Sequence, residues 1–122
     1  MNILGIDDNE DILSLLKTVL TSKGHDFTSA LNGKDGIKLI EEQNFDAVLL
    51  DLAMPEFSGL DVIESLKTNN KLKEQKIIIF TASSATDKEI EVLLQYDGIK
   101  ICIRKPVDIN VLINKVEEVA KS

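Results

Sequence analysis

Two spacings of apolar residues alternate along this chain. Short apolar runs at residues 3–6, 47–50, 77–80 and 99–103 are typical of strands, and a weaker alternating segment lies near residues 26–31. After each segment, apolar residues recur three and four positions apart, which is the spacing of a helix with one buried stripe. Strands that alternate with helices form parallel units with helices on both faces of the sheet. The pattern therefore predicts an α/β fold with five strands and five helices in three layers.

Capping residues mark where several of these helices begin and end. Asn9, Ser58 and Asp108 are predicted N-caps, because their side chains can accept a hydrogen bond from the first helical turn. Gly24 is predicted to end the first helix, since glycine is common just past helix C-termini. Asn32-Gly33 predicts a turn. The apolar spacing in the first helix predicts a buried stripe made by Ile12, Leu15, Leu16, Val19 and Leu20.

Length and composition limit the classes of function. The 122 residues predict one domain, and hydrophobic residues at 43% with charged residues at 29% are typical of a globular protein. The net charge of −7 argues against direct binding to nucleic acid and to anionic membranes. Neither a membrane-spanning stretch nor a secretory leader is visible. The single cysteine, Cys102, cannot form an intrachain disulfide, so a cytoplasmic location is expected.

Polar side chains stand where four of the predicted strands end. Asp7 and Asp8 follow the first strand, Asp51 the third, Thr81 the fourth and Lys105 the fifth. Parallel strands bring their carboxyl ends to one edge of the sheet, where ligands of such sheets bind. Carboxylates suit a divalent cation, and a hydroxyl and an ammonium group suit phosphoryl oxygens. The sequence therefore predicts a site that binds Mg²⁺ and is phosphorylated.

Charge crowding predicts how this site behaves. Carboxylates at close range repel one another, so at least one is expected to have a raised pKa, and Lys105 is expected to pair with Asp51. An aspartate carboxylate can attack phosphorus and form an acyl phosphate. None of the residues grouped here is a dedicated general base, so slow loss of the phosphoryl group is expected.

Together these residues resemble the motifs of a known family. The matching segments are Asp7-Asp8, Asp51-Leu52-Ala53-Met54-Pro55 with Gly59, Thr81-Ala82 and Lys105-Pro106. In this combination they resemble the response-regulator receiver domain, the CheY-like phosphoacceptor module of two-component signalling, over essentially the whole chain. The resemblance implies a flavodoxin-like, doubly wound parallel sheet of five strands in the order 2-1-3-4-5 with five helices. It also implies a stand-alone receiver domain, residues 1–122, with no output domain.

The resemblance implies a role for each matching residue. Asp51 is the implied phosphoryl acceptor, Thr81 the switch hydroxyl that moves toward the phosphoryl group, and Lys105 its ionic partner. The Lys105-Pro106 peptide bond is implied to be cis, which is otherwise rare. The implied ligands of Mg²⁺ are the side chains of Asp7, Asp8 and Asp51 and the backbone carbonyl of Ala53.

The resemblance also implies partners and a signalling role. The implied phosphoryl donor is a sensor histidine kinase or a phosphotransfer protein. The domain is expected to take part in its own phosphorylation and slow dephosphorylation without being an enzyme. A downstream effector protein is expected to bind the surface of the fourth helix, fifth strand and fifth helix, where Lys100 and Arg104 form a basic patch. A monomer, or a weak dimer on phosphorylation, is expected.

Three positions distinguish this chain within the family that it resembles. Cys102 stands where the family usually has Tyr or Phe, and cysteine packs as a small hydrophobic residue. Ala53 and Ser83 occupy two positions that tune phosphate lifetime in the family, and both are small and uncharged.

Two alternative functions are considered. One is a degenerate receiver that binds partners without phosphorylation, which the intact acidic and basic residues disfavour. The other is a hydrolytic phosphotransferase, which Ala53 disfavours because the usual second acid of that class would stand at this position.

Overall fold

The computed structural model describes residues 1–82 and 85–122, which contain one parallel sheet. The strands are β1 (Asn2–Ile6), β2 (Asp26–Ala30), β3 (Ala47–Leu50), β4 (Ile77–Thr81) and β5 (Ile99–Arg104). Their order is β2-β1-β3-β4-β5, and every neighbouring pair is parallel. The predicted five strands and their order 2-1-3-4-5 are confirmed. The segment with the weakest pattern, β2, pairs along its whole length with β1.

The described residues also form the five predicted helices. These are α1 (Glu10–Ser22), α2 (Gly33–Glu42), α3 (Gly59–Thr68), α4 (Asp87–Leu94) and α5 (Ile109–Lys121). The side chains of Asn9, Ser58 and Asp108 accept hydrogen bonds from the first helical turns, so the predicted N-caps are confirmed. Gly24 follows the end of α1 with φ of +87°, as predicted. None of the helices within residues 1–82 and 85–122 has the length and apolar content needed to cross a membrane.

The sheet is covered on both faces. Alternate residues of a strand point to opposite faces. In β4, Ile77 and Ile79 therefore enter the core beneath α2, α3 and α4, whereas Ile78 and Phe80 enter the core beneath α1 and α5. Burial of each such side chain contributes roughly 1.5–3 kcal/mol relative to exposure. The three-layer architecture is confirmed, and it fixes the strand ends that carry the polar residues.

Two local predictions were wrong. Leu13 faces the sheet in α1, whereas Leu15 is 50% exposed. Leu13 packs above Gly5 on β1, where an added Cβ would lie 2.7 Å from Phe27 Cζ and 3.1 Å from Leu13 Cδ2, so the glycine leaves space for both side chains. Asn32-Gly33 does not form a separate turn, because the Asn32 side chain caps α2 by accepting a 2.8 Å hydrogen bond from Asp35 N–H.

Candidate functional site

The carboxyl ends of four strands bring the predicted polar residues to one edge of the sheet. Asp7 follows β1, Asp51 follows β3, Thr81 ends β4 and Lys105 follows β5. Asp7, Asp51 and Thr81 are buried, whereas Asp8 is exposed beside them. One carboxylate oxygen from each of the three aspartates lies within 4.8 Å of the other two. The three acids therefore form one cluster, and Thr81 lies at the same edge.

Lys105 supplies positive charge to this cluster. Its Nζ lies 2.8 Å from Asp7 Oδ2 and 3.7 Å from Asp51 Oδ2, so the predicted pairing with Asp51 is the longer of two contacts. The ring centroid of Phe80 lies 4.9 Å from Nζ, and the Lys105 N–H donates to the Thr81 carbonyl at 2.8 Å. Because one ammonium group serves two buried carboxylates, it offsets part of their charge.

Asp51 combines burial with incomplete charge compensation. Its Oδ1 accepts a 3.2 Å hydrogen bond from the Ala53 N–H. Burial and the neighbouring Asp7 carboxylate raise the pKa of Asp51 above its ordinary value, although Lys105 and the Ala53 N–H oppose the shift. Asp8 adds a smaller repulsion. The surroundings thus disfavour the charged form of Asp51, in agreement with the predicted crowding.

Thr81 places a buried hydroxyl group at the site. Its side chain is fully buried, and Oγ1 has no hydrogen-bond partner among residues 1–82 and 85–122. A buried hydroxyl without a partner costs roughly 1–3 kcal/mol. A group that supplied an acceptor to Thr81 would recover part of that cost. Ser83, the second position linked to phosphate lifetime, lies outside the described residues.

Backbone packing holds the loop after β3 in place. A Cβ on Gly59 would lie 2.3 Å from the Asp51 carbonyl oxygen, so glycine is required where α3 begins. The Gly59 N–H donates to the Leu52 carbonyl at 3.0 Å. On the other side of the site, the Lys105-Pro106 bond is cis, as expected. The residues that flank Asp51 and Lys105 are therefore closely constrained.

Cys102 is a packing residue. It lies opposite Ile79 in the pairing of β4 with β5 and is partly buried. Burial raises the pKa of its thiol, although the Arg104 charge opposes the shift. A thiol with a raised pKa is a weaker nucleophile at neutral pH because less of it is ionised. The position that usually holds an aromatic ring in the resembled family thus carries a small side chain.

Arg104 is the residue whose contacts sequence reasoning missed. Its Nη1 donates to the Ala85 carbonyl and its Nη2 to Asp87 Oδ1, each at 2.9 Å. The expected basic patch with Lys100 is therefore reduced, since the guanidinium group is held within the chain. No periodicity or motif indicates this contact, because its acidic partner lies on another element.

Known proteins share this fold and its sequence pattern. Residues 3–117 match the response regulator receiver domain family. The chain is 28% identical to the chemotaxis protein CheY of Pseudomonas aeruginosa, over 98% of this chain and 95% of CheY. It is 32% identical to part of the CAI-1 autoinducer sensor kinase/phosphatase CqsS of Vibrio cholerae, covering 93% of this chain. Because the chain spans 16% of the length of CqsS, the similarity concerns one region of that protein.

A solved structure extends the comparison. The response regulator protein TrrA from Thermotoga maritima, crystallised in complex with Mg²⁺-BeF, superposes with a TM-score of 0.80 and 30% sequence identity. The superposition covers 97% of this chain and 97% of TrrA. Fold and sequence similarity thus extend over the same residues.

Proposed function

Because this chain belongs to the response-regulator receiver domain family, the phosphorylation-controlled signalling modules of two-component systems, we propose that Asp51 is its phosphoryl acceptor. The observation that carries the proposal is the charge crowding around this residue. Asp51 is buried beside Asp7, its pKa is raised, and Lys105 lies 3.7 Å away. A carboxylate in this position is stabilised when further positive charge reaches it.

Asp51 acts as the nucleophile in the proposed reaction. One of its carboxylate oxygens forms a bond to phosphorus. The bond from phosphorus to the leaving group breaks, and its electron pair stays on the leaving group. Lys105 Nζ, which lies 3.7 Å from Asp51 Oδ2, contacts a phosphoryl oxygen and offsets its charge. The Thr81 hydroxyl donates a hydrogen bond to a second phosphoryl oxygen and gains an acceptor that residues 1–82 and 85–122 do not supply. These residues supply positioning and neutralisation, which phosphoryl transfer requires above all.

The acidic cluster fits a Mg²⁺ ion. Carboxylate oxygens are hard ligands, and those of Asp7, Asp8 and Asp51 lie within 4.8 Å of one another. These side chains and the backbone carbonyl of Ala53 would hold the ion. When bound, Mg²⁺ neutralises charge on the carboxylates and on the transferred group. The Mg²⁺-BeF complex of TrrA, a protein with 30% identity to this chain, supports the assignment.

Slow dephosphorylation follows from the residues around Asp51. Ala53, the second residue after the acceptor, offers no charged side chain. The chain has one histidine, His25, which precedes β2 at the opposite edge of the sheet and bonds to Glu117. A water molecule that attacks the acyl phosphate would therefore receive no help from a histidine base. In this proposal the domain assists its own phosphorylation and holds the phosphoryl group without enzymatic turnover.

The proposed partners are proteins of the cytoplasm. A sensor histidine kinase or phosphotransfer protein donates the phosphoryl group, and a separate effector protein reads the result. The proposed effector surface is formed by α4, β5 and α5. Val92 and Leu94 on α4 are 49% and 38% exposed, Val111 on α5 is 45% exposed, and Lys100 on β5 is also exposed. An effector with apolar side chains and an acidic residue would match this surface.

Intact-mass spectrometry after incubation with acetyl phosphate tests the proposal. We expect the wild-type protein to gain one phosphoryl group in Mg²⁺ and none in a chelator. Asp51→Asn should gain none under either condition, while its circular dichroism spectrum stays like that of the wild type. Asp97→Asn is the matched control, because Asp97 is an exposed acid just before β5 at the opposite edge of the sheet. Wild-type labelling of Asp51→Asn would place the acceptor elsewhere.

A further inference from the structure

Arg104 connects the end of β5 to the beginning of α4. Its guanidinium group donates to the Ala85 carbonyl and to Asp87 Oδ1, both at 2.9 Å. Asp87 is the first residue of α4, and Ala85 precedes it by two positions. The Arg104 side chain is 34% exposed, so its bond to the Ala85 carbonyl is partly shielded from water, whereas the ion pair with the exposed Asp87 side chain is not. Two directed contacts from one planar group restrict the position of residues 85–87.

These contacts lie directly beside the phosphorylation site. In the pairing of β4 with β5, Arg104 stands opposite Thr81. The next residue, Lys105, donates its N–H to the Thr81 carbonyl and extends its side chain to Asp7. Two consecutive residues thus bind different parts of the molecule, since Lys105 contacts the acidic cluster and Arg104 contacts the beginning of α4. Thr81 is paired with both residues, so a displacement of Thr81 affects both sets of contacts.

We propose that Arg104 is a positioning residue that holds residues 85–87 in the arrangement where the Thr81 hydroxyl has no partner among residues 1–82 and 85–122, and thereby lowers the affinity of the site for a phosphoryl group. The inference rests on the proposed function of Asp51. In this proposal, a turn of Thr81 toward a phosphoryl oxygen displaces Ala85 and Asp87, and their bonds to Arg104 oppose that displacement. The affinity for the phosphoryl group then depends on the free-energy difference between the two arrangements. The aromatic ring usual in the family is replaced here by Cys102, so rotation of a ring at this position does not contribute to this free-energy difference.

Calorimetric titration with beryllofluoride at saturating Mg²⁺ tests the inference. Arg104→Met should bind beryllofluoride about threefold more tightly than the wild type, the change expected on loss of a partly exposed ion pair. Arg104→Lys keeps the charge but cannot bond to both acceptors as a guanidinium group does. Its affinity for beryllofluoride should therefore lie between those of Arg104→Met and the wild type. Lys38→Met, which removes an exposed positive charge from α2, is the matched control and should bind like the wild type.

A double-mutant cycle separates this role from a general effect on stability. Asp87→Asn should tighten binding less than Arg104→Met, because the bond to Ala85 persists. The double variant Arg104→Met/Asp87→Asn should bind no more tightly than Arg104→Met alone. If Arg104 only stabilises the fold, Arg104→Met lowers the melting temperature and leaves the affinity unchanged, and the inference is overturned.

Weaker binding by Arg104→Met would overturn it too, since the bonds would then favour the phosphoryl-bound arrangement. The proposed function is tested separately in the same titrations. If the wild type does not bind beryllofluoride, or if Asp51→Asn binds it equally well, the assignment of Asp51 fails and the inference fails with it. Normal binding by the wild type with unchanged affinity in Arg104→Met rejects the role of Arg104 alone.

Discussion

The two edges of the sheet place carboxylates in opposite electrostatic environments. At the amino edge, His25 Nε2 lies 2.8 Å from Glu117 Oε2, and this hydrogen bond lowers the pKa of Glu117 below its ordinary value. At the carboxyl edge, burial and the Asp7 carboxylate raise the pKa of Asp51. The chain therefore stabilises the charged form of one acid and destabilises that of the other.

This contrast indicates where an external partner is needed. At the amino edge, Lys76 Nζ donates to the Ala120 carbonyl at 3.3 Å, so this ammonium group has a hydrogen-bond acceptor within the chain. At the carboxyl edge, the Thr81 hydroxyl has no partner among the described residues, and one lysine serves two buried acids. Groups that find no full compensation in the described part of the chain gain most from a cation and a phosphoryl group. The imbalance at the carboxyl edge is thus part of the binding site.

Removal of the lysine at each edge should give the largest difference. Lys105→Met leaves Asp7 buried without its 2.8 Å partner and should destabilise the protein by about 2–4 kcal/mol. Lys76→Met loses hydrogen bonds to carbonyl groups near the end of α5 and should cost about 1 kcal/mol. Urea unfolding in the presence of a chelator measures both values. Equal losses would mean that the two edges do not differ in how they hold charge.

Replacement of Asp51 should stabilise the protein in a chelator. A folded-state pKa above the unfolded value means that the charged carboxylate destabilises the folded protein at neutral pH. Asp51→Asn should therefore raise the melting temperature by about a few degrees near pH 7. The gain should shrink as the pH falls through the folded-state pKa, because the wild-type carboxyl group then becomes neutral. Asp8→Asn should raise the melting temperature less, since Asp8 is exposed. A melting temperature of Asp51→Asn below that of the wild type would contradict this expectation.

Replacement of Glu117 should give the smallest effect and the opposite sign. Its lowered pKa means that the charged carboxylate stabilises the folded state above the unfolded pKa, and that this stability is lost as the pH falls through the folded-state pKa. Because Glu117 lies at the surface, Glu117→Gln should lower the melting temperature by only about one or two degrees at neutral pH. The difference from the wild type should vanish in acid. A loss that persists there would show that the contact does not depend on the carboxylate charge.

Sequence predicted the grouping of the site residues because strand topology determines it. Once the strands were assigned as parallel, Asp7, Asp51, Thr81 and Lys105 had to stand at one edge of the sheet. Their assigned roles stay predictions. The closer approach of Lys105 to Asp7 than to Asp51 was not predictable, because it depends on side-chain reach and on the position of Phe80.

The remaining discrepancies depend on contacts between elements. Leu13 and Leu15 have equal hydrophobicity, and which one is buried depends on how α1 packs against the sheet. Arg104 could have been exposed, and its bond to Asp87 forms only because β5 and α4 lie side by side. Periodicity along one element specifies a buried face approximately, whereas the packing of a neighbouring element decides the individual residue.

The most direct test of the account is to locate the phosphoryl group on the chain. After reaction with acetyl phosphate and Mg²⁺, treatment with borohydride reduces an aspartyl phosphate to homoserine, which peptide mass spectrometry can assign to a residue. We expect conversion at Asp51, with Asp7 and Asp8 unchanged. Conversion at Asp7 or Asp8 with Asp51 intact would contradict the claim that the crowded, buried carboxylate after β3 is the acceptor.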